Sequence, residues 1–428
     1  MCRKNDPDVP EDGEPGGESL TGVNLSSGRL VRSAGVLIAG AVLWGAAASP
    51  AGADQVRDSQ WVLRTFDVER RIWPQSQGEG VVVAVVDSGV MPDHQDLTGQ
   101  VLPGADFSGA RSDGRTDSLG HGTGIASLIA GHGHGNQAGV VGLAPKSKIL
   151  PVRIRTNGES PQLDQSDIAL AVRYATDHGA KVINMSIGGY SGLDSQARAA
   201  IDYAVSKDVV LVGATGNGES GSVEYPAAFP GVVAVTAVDE QGKLWSKATA
   251  GPETTLAAPG VEIYHASVKS TSSYGISQGT SDGVAYVSAT AALIRAKYPE
   301  LSAGQVINRM IRTATPPQDG SAVPGSRYGF GVLAPAKALE ADPGVDGGSR
   351  ENPLVGRAES RGAAGDGVTE PPGGEAVVPA AGAGGAGGGG WFGVGVAVGV
   401  ALWGVLVGGV VAVVVWVVRV RRRRGAGG

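Results

Sequence analysis

Three residue types that together perform acyl transfer stand in separate and distinctive surroundings. Asp87 closes the apolar run VVVAVVD, His121 opens the glycine-rich stretch HGTGIASLIAG, and Ser281 follows a glycine–threonine pair in GTSDGVAYVSA. A serine hydroxyl is a weak nucleophile until an imidazole takes its proton. The imidazole in turn works best when a carboxylate fixes its tautomer and stabilises its cation. Asp, His, Ser is one of three chain orders in which such triads occur on unrelated folds. A DSG after a strand is by itself a turn signal, and GTS by itself is close to noise. All three blocks in order point to a hydrolase.

The surrounding sequence supplies an element for each residue. Residues 81–86 are continuously apolar and mostly β-branched, which predicts a strand buried on both faces of a parallel sheet. Asp87 then falls at the carboxyl edge, where open α/β sheets place their sites. The small residues after His121 suit a helix packed closely on that sheet. Ser281 precedes helical spacing of Val287, Ala291 and Ile294. A helix N-terminus there would set the serine and its N–H beside a developing oxyanion. Further strands are predicted near 149–154, 182–185, 209–212 and 232–238, alternating with helices at 167–177, 196–206 and 281–297. The alternation predicts an α/β fold with a mainly parallel sheet and helices on both faces.

From about Gln60 to Leu339 these blocks resemble the subtilases, the subtilisin-like serine peptidases. The resemblance implies a three-layer α/β domain and a peptide or protein substrate. It assigns the orienting role to Asp87, the general base and acid role to His121, and the nucleophile role to Ser281. Asn217, in VLVGATGNGES, matches the oxyanion-hole asparagine. Ser186, Ile187 and Gly188, in VINMSIGG, match the strand that pairs with the peptide backbone, and Ala214, Thr215 and Gly216 match a wall of the specificity pocket. The serine block departs from the family pattern. Gly283 stands where alanine is usual and Ala285 where proline is usual, and Asp282 follows the serine directly. A mid-helix glycine costs about 1 kcal/mol relative to alanine. The alternative reading is therefore a weakly active or non-cleaving structural subunit.

The two ends suggest where the domain works. Arg29 and Arg32 lead an apolar segment, 34–48, and Ala51-Gly52-Ala53 reads as a cleavage site, so residues 1–53 are expected to be a leader with a signal peptide. The catalytic domain with an N-terminal extension is expected over 54–340. Residues 341–390, rich in Gly, Pro, Ala and acids, read as a disordered stalk. Residues 391–418 carry no charge and would form a helix about 42 Å long, enough to cross a membrane. Trp391 and Trp416 lie near its ends, and the basic tail 419–428 is expected on the cytoplasmic side. The catalytic domain would then face outward, on a single-pass protein of the cell membrane.

Stalk, span, basic tail and the segment Gln60-Trp61-Val62-Leu63 resemble a mycosin, the membrane-anchored subtilase of actinobacterial type VII secretion systems. That resemblance implies association with a secretion membrane complex. A formal net charge of −6 gives no reason to invoke nucleic acid. The single cysteine, Cys2, precedes the cleavage site, so no disulfide is expected in the mature protein. No cofactor and no metal site is expected; Asp93, His94 and Asp96 read as a loop, as do His132 and His134.

Overall fold

The valine run becomes the strand that ends on Asp87. A computed structural model describes residues 54–156, 165–189, 194–218 and 221–357. Its strands are β1 (Val82–Asp87), β2 (Ala105–Asp106), β3 (His132–His134), β4 (Ala138–Val141), β5 (Lys148–Arg153), β6 (Val182–Met185), β7 (Val210–Ala214), β8 (Val232–Val238), β9 (Thr254–Pro259), β10 (Ile263–Ser267) and β11 (Ser273–Ser277). Seven of them form one sheet in the order β2-β5-β1-β6-β7-β8-β9, and every neighbouring pair is parallel. The remaining four make two antiparallel pairs, β3 with β4 and β10 with β11.

The helices are α1 (Asp54–Ser59), α2 (Trp61–Thr65), α3 (His121–Ala130), α4 (Gln165–Asp177), α5 (Ser195–Ser206), α6 (Thr280–Lys297), α7 (Ala303–Thr313), α8 (Pro335–Ala338) and α9 (Pro343–Asp346). Strand alternation sorts them into two layers. Val83 and Val85 of β1 join a core with α3, α6 and α7, while Ala84 and Val86 join a second core with α4 and α5. The expected three-layer α/β architecture is borne out. Helix α6 is buried along nearly its whole length, in keeping with its many small residues and its lack of a polar stripe. Gly283 has a packing reason: a Cβ there would stand 3.2 Å from both the Thr236 carbonyl oxygen and Val235 Cγ1.

The N-terminal extension is tied down away from the cleft. Trp61 donates its indole N–H to the Val261 carbonyl at 3.0 Å, Trp73 donates to Leu143 at 3.1 Å, and the Gln60 side chain pairs with both backbone groups of Val141.

The expected domain end at 340 is too early. Residues 341–357 pack on the domain, with Val345 and Leu354 buried. Asp342 caps α9, Asp346 pairs with the fully buried Arg309 at 2.6 Å, and Arg357 donates to the carbonyls of Ala227, Phe229, Val232 and Glu253. Charged residues of the expected stalk here neutralise or satisfy buried groups. The expected leader 1–53, the rest of the stalk (358–390), the span 391–418 and the tail 419–428 lie outside the described residues. Among the described residues no helix is long and apolar enough to cross a membrane.

Candidate active site

Asp87, fully buried at the end of β1, accepts the Ser88 N–H at 2.7 Å and holds His121 Nδ1 at 2.8 and 2.9 Å from its two oxygens. The bond commits Nδ1 to carry a proton and leaves Nε2 for the cleft. The start of α3 is fixed by close contacts. Asp117 accepts from the backbone of Gly120 and Thr123, and Ser88 Oγ accepts the Gly122 N–H at 3.0 Å. A Cβ on Gly122 would collide with the Gly89 carbonyl oxygen, so only glycine lets His121 approach β1 this closely. The imidazole keeps an open edge, with 46% of the side chain exposed. Its packing opposes a positive charge, but the Asp87 carboxylate outweighs this, with Asp282 and Asp117 adding, and His121 is raised to about 9.

Ser281 stands in the first turn of α6. Its hydroxyl donates to the Ser186 carbonyl at 3.1 Å, while the Ser186 hydroxyl donates to the Ser281 carbonyl at 3.0 Å. These reciprocal bonds strap the helix start to the segment after β6. A nucleophilic role for Ser281 would need its proton to swing to His121 instead. Asn217 Oδ1 accepts from the Thr280 N–H at 2.9 Å and from its hydroxyl at 3.0 Å, which leaves the amide NH2 as the free end.

Asp87, His121, Ser281, Asn217, Ser186, Ile187 and Gly188 line one open cavity of about 520 Å³, together with Leu119, Arg155, Thr156, Gly189, Gly218 and Glu224. His121, Ser281 and Asn217 also line a smaller one of about 170 Å³ with Asp282 and His265. None of residues 54–80 lines either cavity. The structure does not bring Ala214 and Thr215 to the cleft. Ala214 is buried in the core, and the Thr215 hydroxyl is spent on the Val235 carbonyl at 3.1 Å. Gly216 packs against Glu224, which does reach the cavity. Sequence reasoning missed Glu224 because no periodicity or motif marks it; only the fold carries it there.

Asp282 is buried, and both its oxygens accept the Ser277 hydroxyl, at 2.8 and 2.9 Å. Burial pushes its carboxyl up to about 7, against the Ser277 hydrogen bond and the attraction of His121. His94 and Asp96 brace the loop, while Asp93 is exposed. His94 bonds the Ser273 carbonyl, and Asp96 takes His134 Nδ1 at 2.6 Å and the Val140 N–H at 2.8 Å.

The model of the subtilase family matches residues 78–331. Subtilisin DY of Bacillus licheniformis is 39% identical over 243 residues, covering 56% of this chain and 85% of the relative. Thermitase of Thermoactinomyces vulgaris is 37% identical over 222 residues, covering 52% and 77%. Among solved structures, the MycP3 protease of the type VII (ESX-3) secretion system superposes with a TM-score of 0.58 at 33% identity, covering 65% of this chain and 88% of that one. MycP1 of Mycobacterium smegmatis superposes at 0.60 and 27% identity, covering 68% and 87%. The chain thus resembles both subtilisins and the MycP1 and MycP3 proteases, and it belongs to the subtilase family of subtilisin-like serine peptidases.

Proposed function

We propose that the chain is a serine endopeptidase that cleaves peptide bonds through an acyl-enzyme on Ser281. The observation that carries this reading is the single cavity shared by Ser281, Asn217 and the hydrogen-bonded Asp87–His121 pair. His121 Nε2 takes the hydroxyl proton as Ser281 Oγ attacks the scissile carbonyl. The Asp87 carboxylate stabilises the imidazolium that forms. The oxyanion lies toward the Asn217 amide and the N-terminus of α6, where the helix dipole favours negative charge. Collapse of the tetrahedral intermediate passes the proton from His121 to the leaving amine. Water then repeats the sequence to release the acyl group.

The likeness to MycP1 and MycP3 supports work beside a type VII secretion membrane complex, on proteins that pass through it. The sequence of the two ends supports anchoring by 391–418 with the catalytic domain outside the cell membrane. A second reading, a subunit that does not cleave, is favoured by the Ser281 hydroxyl facing the Ser186 carbonyl.

A fluorophosphonate probe separates the two readings. The active enzyme is expected to take one probe, recovered by mass spectrometry on the peptide that contains Ser281. An unlabelled protein that is folded and soluble would refute the endopeptidase reading. Asn217→Ala removes one oxyanion donor and is expected to lower kcat about 10²–10³-fold with little change in KM. Steady-state hydrolysis of a peptide amide measures this. A KM effect alone would deny Asn217 that role.

A further inference from the structure

The cleft carries a charge that the acyl-transfer chemistry leaves idle. Among the described residues, the charged side chains lining the larger cavity besides Asp87 and His121 are Arg155 and Glu224. Arg155 is neutralised, with Nε and Nη2 at 2.7 and 2.9 Å from the two oxygens of the buried Asp167. Glu224 has no such partner. Its Oε2 accepts the Gly189 N–H at 2.6 Å, and it makes no ion pair among the described residues.

The carboxylate is seated by the backbone and is not a loose surface acid. A Cβ on Gly188 would collide with Oε2, and one on Gly216 would stand 2.7 Å from Oε1. Gly216 also has φ +114°, where a side chain would be strained. Glu224 therefore fills the gap between the segment after β6 and the segment after β7, at a place where two glycines make room for it. One lone pair is used by Gly189, and the others remain for a ligand.

The side of the scissile bond follows from the neighbours. Residues 186–189 and Glu224 line the larger cavity only. The smaller cavity shares His121, Asn217 and Ser281, contains none of residues 186–189, and is left for the leaving group. A substrate backbone paired along 186–188, as the family resemblance implies, would direct the side chain before the scissile bond toward Glu224, which lines the same cavity.

We infer that Glu224 makes this peptidase select lysine or arginine as the residue that contributes the scissile carbonyl. The inference rests on the serine endopeptidase reading. A cation there exchanges water for a charge-assisted hydrogen bond in a cleft where Glu224 has no other counter-ion among the described residues. Discrimination of about ten- to a hundredfold over an apolar residue is the expected scale.

Fluorogenic peptides that differ only at that position test it. Wild type is expected to cleave after Lys or Arg at least tenfold faster in kcat/KM than after Leu. Glu224→Gln, which can still accept from Gly189 through its amide oxygen, should bring the ratio close to one. Glu224→Lys should favour Asp or Glu. Equal ratios in wild type and Glu224→Gln would overturn the proposal. A second measurement does not need turnover. Ser281→Ala protein, titrated calorimetrically with product peptides ending in Arg or Leu, should bind the Arg peptide at least tenfold more tightly. The doubly substituted Ser281→Ala, Glu224→Gln protein should bind both alike. If the fluorophosphonate fails to label wild type while this preference stands, the endopeptidase reading fails and the role of Glu224 survives. If binding shows no preference, the role of Glu224 fails whatever the labelling shows.

Discussion

Replacing Ser281 by alanine is expected to lower kcat about a millionfold, with KM changed only slightly. The size follows from the proposed mechanism, in which no acyl-enzyme forms without Oγ. Only the oxyanion site and substrate positioning are left to act on a water molecule. The substitution deletes the hydroxyl that donates to the Ser186 carbonyl, but the return bond uses the Ser281 backbone carbonyl and persists. Losing one such hydrogen bond costs about 1 kcal/mol, so the variant should fold normally. His121→Ala should cost nearly as much, and the double variant should be hardly worse than either alone, because the groups act as a unit. Independent, multiplicative losses measured in single-turnover assays would show that Ser281 and His121 do not share one proton transfer.

The second large effect is on pH. His121 must be neutral to accept the Ser281 proton, and it is raised from an ordinary 6.5 to about 9. Below that value kcat/KM should fall about tenfold per pH unit, so hydrolysis at pH 6 should be roughly a thousandfold slower than on the alkaline plateau. Asp282 is part of the cause. Above about 7 its carboxylate is charged and adds to the pull of Asp87 on the imidazolium. Asp282→Asn should therefore move the rising limb to lower pH. The groups around Asp282 that bear on this are His121, His265 across the smaller cavity, the Ser277 hydroxyl and Tyr286 on its own helix. A wild-type limb centred near 6.5, or one unmoved by Asp282→Asn, would contradict the assignment.

Stability should run the other way. Both His121 and Asp282 hold their protons more tightly in the folded state than in the unfolded chain. Each contributes stability that is complete below its unfolded value and lost as pH rises through its folded one. For Asp282 the loss runs from 3.8 to about 7, and for His121 from 6.5 to about 9. Thermal melts should thus decline over the range in which catalysis rises. Asp282→Asn should flatten the part of that decline between 3.8 and about 7.

What the chain discloses by sequence is whatever rests on neighbours in sequence. Residues 81–86 announce a buried strand by composition, and the sheet contains Val82–Asp87. The segments 182–185 and 232–238 coincide with β6 and β8. Helix α7 is not among the predicted helices although its signals are local: Ser302 and Gln305 form a capping box before an amphipathic run. Strand β9 begins on two threonines and ends on proline, and it is a strand because β8 pairs with it. Its own propensity would not have predicted it.

Sequence by itself determined the chemistry on offer: a carboxylate, an imidazole, a hydroxyl and an amide, each beside the strand end or helix start that would expose it. Tertiary structure alone decided which other groups join them. It buried Ala214 and Thr215, brought Glu224 between Gly188 and Gly216, set Asp282 beside His121, and packed 341–357 onto the domain. The reason is physical. A strand or a helix start depends on residues a few positions apart. The burial, ion pairing and titration of a side chain depend on groups tens to hundreds of positions away, as with Asp87 and His121 or Arg357 and Ala227. Only the closed sheet-and-helix stack makes those groups neighbours.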